Sequence, residues 1–183
     1  KIFSEIGFRN TRMEDVAKAV DMSKGSIYFY FGSKENLFMA VTYKAFQFLL
    51  SGYSEHKEAG KGKKGKETVI TMFKYYMGFT EKYPGYYDLL MNYMSLVRAE
   101  KNGTEKRTLS EAMLNSEFYH KIKNIHYLPI NFVLDEIKRG QKDGSIKNKT
   151  EPTLMYLTAW AFISGLTEIL STNRSNGSRT ILN

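Results

Sequence analysis

Apolar residues recur along this chain three and four positions apart, and no segment alternates apolar with polar residues as a half-buried strand would. Helices are therefore expected from end to end. The longest stripe, Leu37, Phe38, Val41, Ala45, Phe48 and Leu49, predicts one helix over residues 33 to 52. Further helices are expected at about 67 to 82, 86 to 100, 110 to 126, 129 to 143 and 152 to 172, with Pro84-Gly85, Asn102-Gly103, Pro129, Asp143-Gly144 and Pro152 at their boundaries. Ser54 to Lys66, where Gly60, Gly62 and Gly65 alternate among lysines, reads as a flexible, solvated connection, with a nonspecific DNA tether as the lesser alternative. No internal repeat is visible.

The stretch Thr11 to Phe38 carries the densest local signals. Thr11 followed by Glu14 fits a capping box and places a helix start at Arg12. Val16, Ala17 and Val20 give that helix an apolar face, and Asp21 marks its end because Asp tolerates a turn backbone. Ser23 caps a shorter helix from Lys24 to about Phe31, Gly32 stops it, and Ser33 caps a third helix opening at Lys34. Phe3, Ile6, Val20, Ile27, Phe31, Leu37 and Phe38 are its expected core. Two short helices joined by a tight turn form a helix-turn-helix, whose second helix enters a DNA major groove. That second helix turns Lys24, Gly25, Ser26, Tyr28, Phe29 and Tyr30 outward. A helical Gly costs roughly 1 kcal/mol relative to Ala, so Gly25 in the first turn points to close approach of a partner such as phosphate.

Ile2 to Thr11, Val16-Ala17-Lys18-Ala19, Ser23-Lys24-Gly25-Ser26-Ile27-Tyr28 and Tyr30 to Phe38 together resemble the DNA-binding domain of the TetR family of transcriptional regulators. The resemblance spans the first quarter of the chain, with Asp21 standing where Gly is common and Phe29-Tyr30 replacing a mixed aromatic and His pair. It implies that Thr11, Arg12 and Lys34 touch phosphates while Lys24, Gly25, Ser26, Tyr28, Phe29 and Tyr30 lie in or beside the groove. It also implies an all-α chain: a homeodomain-like three-helix DNA-binding domain at 1–48, then a helical effector-binding and dimerisation domain at 49–183. An N-terminal arm would precede Lys1. The dimer would form through a four-helix bundle of the last two helices, with Thr150 to Asn173 the first and Arg179 to Asn183 the start of the second. The expected partners are a double-stranded DNA operator, a small-molecule effector and a second copy of the chain. A cytoplasmic repressor is the leading expectation; an activator, or a regulator switched by a protein partner, is the alternative.

Composition agrees without deciding. The 183 residues carry 27 Lys and Arg against 19 Asp and Glu, a formal net charge of +8 that suits an anionic partner, and no cysteine, hence no disulfide or thiolate metal site. The longest uncharged run, Pro152 to Thr167, falls short of the ~20 apolar residues that span a bilayer, so no membrane association is expected. Between residues 67 and 172 Tyr and Met are abundant, and a cavity uses a ring body with a polar tip better than a plain core does. Phe73, Tyr76, Met77, Tyr93, Met94 and Trp160 are the candidate ligand-binding residues. Ala159, Ala161, Ser164 and Gly165, set among Leu154, Leu157, Leu166 and Ile169, would let a second helix approach closely. His120 and His126 are six apart rather than four, and no nucleophile motif is present, so no metal, cofactor, catalytic residue or enzymatic activity is expected.

Overall fold

Local capping and proline chemistry set most of the helix ends. The computed structural model describes residues 1–101 and 109–175; Asn102-Gly103 and Arg179 to Asn183, for which a boundary and a helix start are expected, lie outside them. Among the described residues the chain forms α1 (Ile2–Asn10), α2 (Met13–Ala19), α3 (Lys24–Phe31), α4 (Lys34–Ala59), α5 (Gly65–Lys82), α6 (Pro84–Lys101), α7 (Glu111–Leu114), α8 (Glu117–Ile125), α9 (Leu128–Lys142) and α10 (Pro152–Ser175). Pro84 and Pro152 each occupy the first helical position, where a missing N–H costs nothing. The fold is all-α, and none of the described helices is long and apolar enough to cross a membrane.

The chain divides into two compact units, one formed by Lys1–Ser51 with Glu81–Tyr127, the other by Gly52–Thr80 with the chain from Leu128 onward. In the first, Phe3, Phe8 and Phe38 form a ring cluster with centroids 5.0 to 6.2 Å apart, and Met13, Ala17, Ile27 and Leu37 are buried. α1 packs on α6. Phe46 meets Tyr93 edge-on at 5.6 Å, and both pack against His126. Two expected core residues are not core: Ile6 is 43% and Val20 53% exposed, Val20 because it falls just beyond the last turn of α2 and Met13 takes the inward place instead. Phe31 is half-buried.

The capping box is also corrected. α1 kinks at Gly7 (φ 75°), which leaves the Gly7 carbonyl facing Thr11; the Thr11 hydroxyl and N–H both donate to it, and Arg12 becomes the N-cap of α2 with no side-chain cap bond. The single helix expected over 110 to 126 breaks at Asn115, because Ser116 starts a new one: its hydroxyl accepts from Phe118 N–H and donates to Asn36 Oδ1 at 2.6 Å.

In the second unit α9 packs on α10, and Tyr53, Met72, Tyr76, Phe79, Val133, Ile137 and Tyr156 are buried. The expected connection from Ser54 to Lys66 is not a flexible loop. α4 runs to Ala59, since Glu55, His56, Lys57 and Glu58 are polar without being helix breakers, and only the turn at 60–64 interrupts the helices. His56 sits on the helix, its Nδ1 2.7 Å from Gly52 O and its ring against Tyr75. Gly60 and Gly65 are there for space: a Cβ would come under 3.0 Å from Thr68 at the first and from the Gly140 backbone at the second.

Candidate nucleic-acid interface

α2, the turn and α3 are held by short-range bonds that leave one face of α3 free. Asp21 adopts φ 52°, the one positive φ at a non-glycine among the described residues, and turns the chain through the left-handed conformation that Asp tolerates. Ser23 Oγ then accepts from Ser26 N–H at 3.0 Å and lies 2.8 Å from Ser26 Oγ, fixing the first turn of α3. At the other end Gly32 (φ 68°) donates to Tyr28 O. Ser33 Oγ accepts from Asn36 N–H, starting α4.

Ile27 is the buried residue of α3, and the helix otherwise looks outward. Phe29 is 85% and Tyr30 67% exposed, their rings edge-on at 5.5 Å; Tyr28, Lys24 and Gly25 are exposed, and Ser26 is partly so. A Cβ at Gly25 would meet only Ser23 Oγ, at 3.7 Å, so nothing inside the protein requires the glycine. Arg12 is exposed at the start of α2. Lys24 is not free. Its ammonium pairs with Glu14 of α2 and lies 5.8 Å from the Tyr28 ring centroid; the shared hydrogen bond lowers the Glu14 pKa and raises that of Lys24. Glu14 is the interface residue that sequence reasoning misses as such, because its partner lies one helix away.

Two expected phosphate contacts sit differently. Thr11 is 2% exposed and its hydroxyl is committed to Gly7, so it has no group to offer a phosphate. Lys34 donates to three carbonyls, Phe8 O at 3.0 Å, Arg9 O at 3.2 Å and Thr11 O at 3.0 Å, and covers the Phe8 ring at 4.6 Å. It ties α4 to the C-terminal end of α1, whose last carbonyls lack helical partners.

The six candidate ligand-binding residues fall in both units. Phe73, Tyr76, Met77 and Trp160 belong to the second: Trp160 Nε1 donates to Tyr76 Oη at 3.2 Å, and Phe73 stacks on Tyr156 with centroids 6.3 Å apart. Burial pushes Tyr53, Tyr156 and Tyr76 above the usual phenol pKa, with Ser164 and then Trp160 partly opposing it at Tyr76. Tyr93 and Met94 belong to the first unit, Tyr93 fully buried and Met94, like Met77, more than a third exposed. A cavity of about 480 Å³ in the first unit is lined instead by Lys1, Glu5, Tyr83 to Tyr86 and Asp88.

Residues 1–41 match the model of bacterial regulatory proteins, tetR family. A TetR family transcriptional regulator, PfmR, from Thermus thermophilus superposes with a TM-score of 0.67 at 18% identity, over 91% of this chain and 80% of that one. A structure described as the molecular basis for control of antibiotic production by bacterial hormones superposes with a TM-score of 0.55 at 20% identity, over 95% of this chain and 79% of that one. A search of curated proteins gives no significant match. The two superpositions show the shared helical fold, and residues 1–41, which contain the helix-turn-helix and its exposed second helix, are similar to the DNA-binding part of the tetR family regulators.

Proposed function

We propose that the chain is a ligand-responsive repressor that binds a pseudo-palindromic operator as a homodimer and leaves it when a small apolar or aromatic effector binds. The observation that carries the DNA reading is the outward face of α3, where two aromatic rings stand in solvent beside Lys24 and a glycine that no internal contact requires. Exposed rings of this kind destabilise a free surface and suit the edges and methyl groups of bases. In this reading residues 1–48 bind DNA and 49–183 bind effector and dimerise. Arg12 and Lys24 meet phosphates, Ser26, Tyr28, Phe29 and Tyr30 lie in the groove, and Gly25 admits the backbone.

The dimer is supported by α10. Leu154, Leu157, Phe162 and Ile169 are 48 to 72% exposed along it, with Ala161 and Gly165 exposed between them. That apolar stripe fits a second copy. The effector is supported by the cluster of Phe73, Tyr76, Tyr156 and Trp160 in the second unit, whose ring bodies and polar tips suit an uncharged, mostly apolar molecule. A structural neighbour described as the basis for control of antibiotic production by bacterial hormones supports control by a bound signal. Such a regulator works in the cytoplasm, where its operator is.

Selection from random duplexes tests the reading: an inverted repeat should be enriched, and Phe29→Ala or Tyr30→Ala should abolish the preference while leaving the melting temperature unchanged. Enrichment of no inverted repeat would overturn it.

A further inference from the structure

The second unit carries a built cationic surface that the helix-turn-helix does not use. Residues 57–67 and 138–150 hold nine lysines and one arginine against Glu58, Glu67 and Asp143. The carboxylates in and around these segments are mostly engaged. Glu58 pairs with Lys61, Asp135 with Lys57 and Glu136 with Arg139, while Glu151 caps α10 by accepting from Leu154 N–H. Lys63, Lys64, Lys66, Lys142, Lys147 and Lys149 are exposed, and among the described residues no carboxylate pairs with them.

These lysines stand on segments fixed to one another. The Gly65 N–H donates to Asp143 Oδ2 at 2.8 Å and the Lys66 N–H to Ser145 Oγ at 3.1 Å. The Arg139 guanidinium donates to Lys63 O, to Thr68 Oγ1 and to the buried Glu136 carboxylate, closing the turn at 60–64 onto α9. Gln141 Nε2 holds the segment beyond by donating to Asn148 O and Thr150 O, both at 2.9 Å. The hydrogen bonds from Gly65 and Ser145 hold the Asp143 pKa down to about 2, so this clamp stays ionised. The charges are thus presented as a fixed array.

The chemistry of the array selects its partner. No large apolar residue in 57–67 or 138–150 is exposed, so there is no anchor of the kind that seats a helix in a lipid headgroup layer. It also lacks the exposed aromatic residues that dominate protein–protein hot spots. Lysines alone, as strongly hydrated point charges, match the closely spaced phosphates of a nucleic-acid duplex, where counterion release supplies the binding free energy. We infer that this face of the second unit is a sequence-independent binding surface for the phosphate backbone of double-stranded DNA, separate from α3.

The experiment uses the full chain and a random-sequence duplex of about 40 base pairs, with affinity followed by fluorescence anisotropy across a salt series. Each contacting lysine adds about 0.9 to the slope of log K against log salt, so K63Q/K64Q/K66Q should flatten it by about 2 to 3, and the six-fold variant with K142Q/K147Q/K149Q by about 5. The arginine triple K63R/K64R/K66R should keep the wild-type slope. K44Q/K74Q/K123Q, which lowers the net charge equally at exposed sites elsewhere, should change it much less. The α3 contribution is constant across this set, so failure to find an operator for α3 leaves the test intact. The inference is overturned if the patch triple behaves as the K44Q/K74Q/K123Q control does, or if the patch variants lose binding to phosphatidylglycerol-containing vesicles while duplex binding is unchanged.

Discussion

Lys34 offers the sharpest separation between a structural and a DNA-contacting role. Its ammonium has three donors, and all three are spent on Phe8 O, Arg9 O and Thr11 O, at 3.0 to 3.2 Å. Lys34→Met keeps the aliphatic stem over the Phe8 ring but removes the charge and every donor, leaving the Phe8 and Arg9 carbonyls of α1 and that of its C-cap Thr11 to find water. A hydrogen bond from a charged donor nets about 1.5–3 kcal/mol, and the cation–π contact adds about 0.5–1 kcal/mol. The site is half-exposed and the carbonyls regain some water, so the combined loss is put at about 2–3 kcal/mol rather than the sum. For a chain of this size that lowers the melting temperature by roughly 5–10 °C. Lys34→Arg should recover only part of it, because a planar fork does not converge on three acceptors around one point. The assay pairs thermal unfolding followed by circular dichroism with the salt dependence of operator binding, measured well below the melting temperature. If Lys34→Met melts with the wild type and flattens the salt slope by about one, the residue contacts phosphate and the capping argument is refuted.

Three further outcomes follow from other contacts. Gly65→Ala forces a Cβ under 3.0 Å from the Gly140 backbone, which cannot step aside as a side chain can, and should cost about 1–3 kcal/mol, seen as a lower urea midpoint at unchanged m-value. Asp143 has a folded pKa lowered from 3.8 to about 2, so its stabilisation is present above the ordinary value and lost as pH falls through about 2; the melting-temperature deficit of Asp143→Asn should be constant above about pH 5 and close by about pH 2. A deficit that persists in acid would contradict that linkage. Phe162 is 72% exposed, so Phe162→Arg should leave the fold of one copy intact while shifting sedimentation at micromolar concentration from dimer to monomer; a variant that still sediments as a dimer removes α10 from the interface.

What the sequence makes legible is chemistry contained within one turn. Ser23, Gly32, Ser33, Pro84 and Pro152 each end or begin a helix where expected, because a cap needs only the residues three or four positions away. The Thr11 and Glu14 pattern misleads for the same local reason: Gly7 leaves the helical region, and a carbonyl four residues upstream outcompetes the cap. Ser54 to Lys66 misleads because polarity reports burial rather than helix breaking, and because glycines fit close packing as well as flexibility. The break before α8 depends on Asn36, 80 residues away, and the role of Lys34 on carbonyls 23 to 26 residues away; neither spacing leaves a periodic trace. The exposed face of α3 is legible for the opposite reason. Ile27 and Phe31, one turn apart in a short capped helix, give it a single inward side, whatever the rest of the chain does.

The pairing of Lys24 with Glu14 changes what the basic character of the DNA-binding face means. Both side chains are about half exposed, so in the free protein the recognition helix presents a neutral pair where sequence alone suggests a cation. Engagement of a phosphate by Lys24 must then either displace Glu14 or hold three charges in a row with the carboxylate repelled. In both cases the pair's own attraction is subtracted from the contact. An exposed pair of this kind is weak and further screened by salt, so the subtraction is small at physiological ionic strength and largest at low salt. In the proposed reading, nonspecific attraction to any duplex is therefore muted at α3, while the aromatic face of Phe29 and Tyr30, which has no counterion to release, would keep its full contribution to base reading. Among the described residues, six exposed lysines in no salt bridge, Lys63, Lys64, Lys66, Lys142, Lys147 and Lys149, stand together near the turn at 60–64 and the end of α9, so the net charge of +8 cannot be assigned to the helix-turn-helix alone.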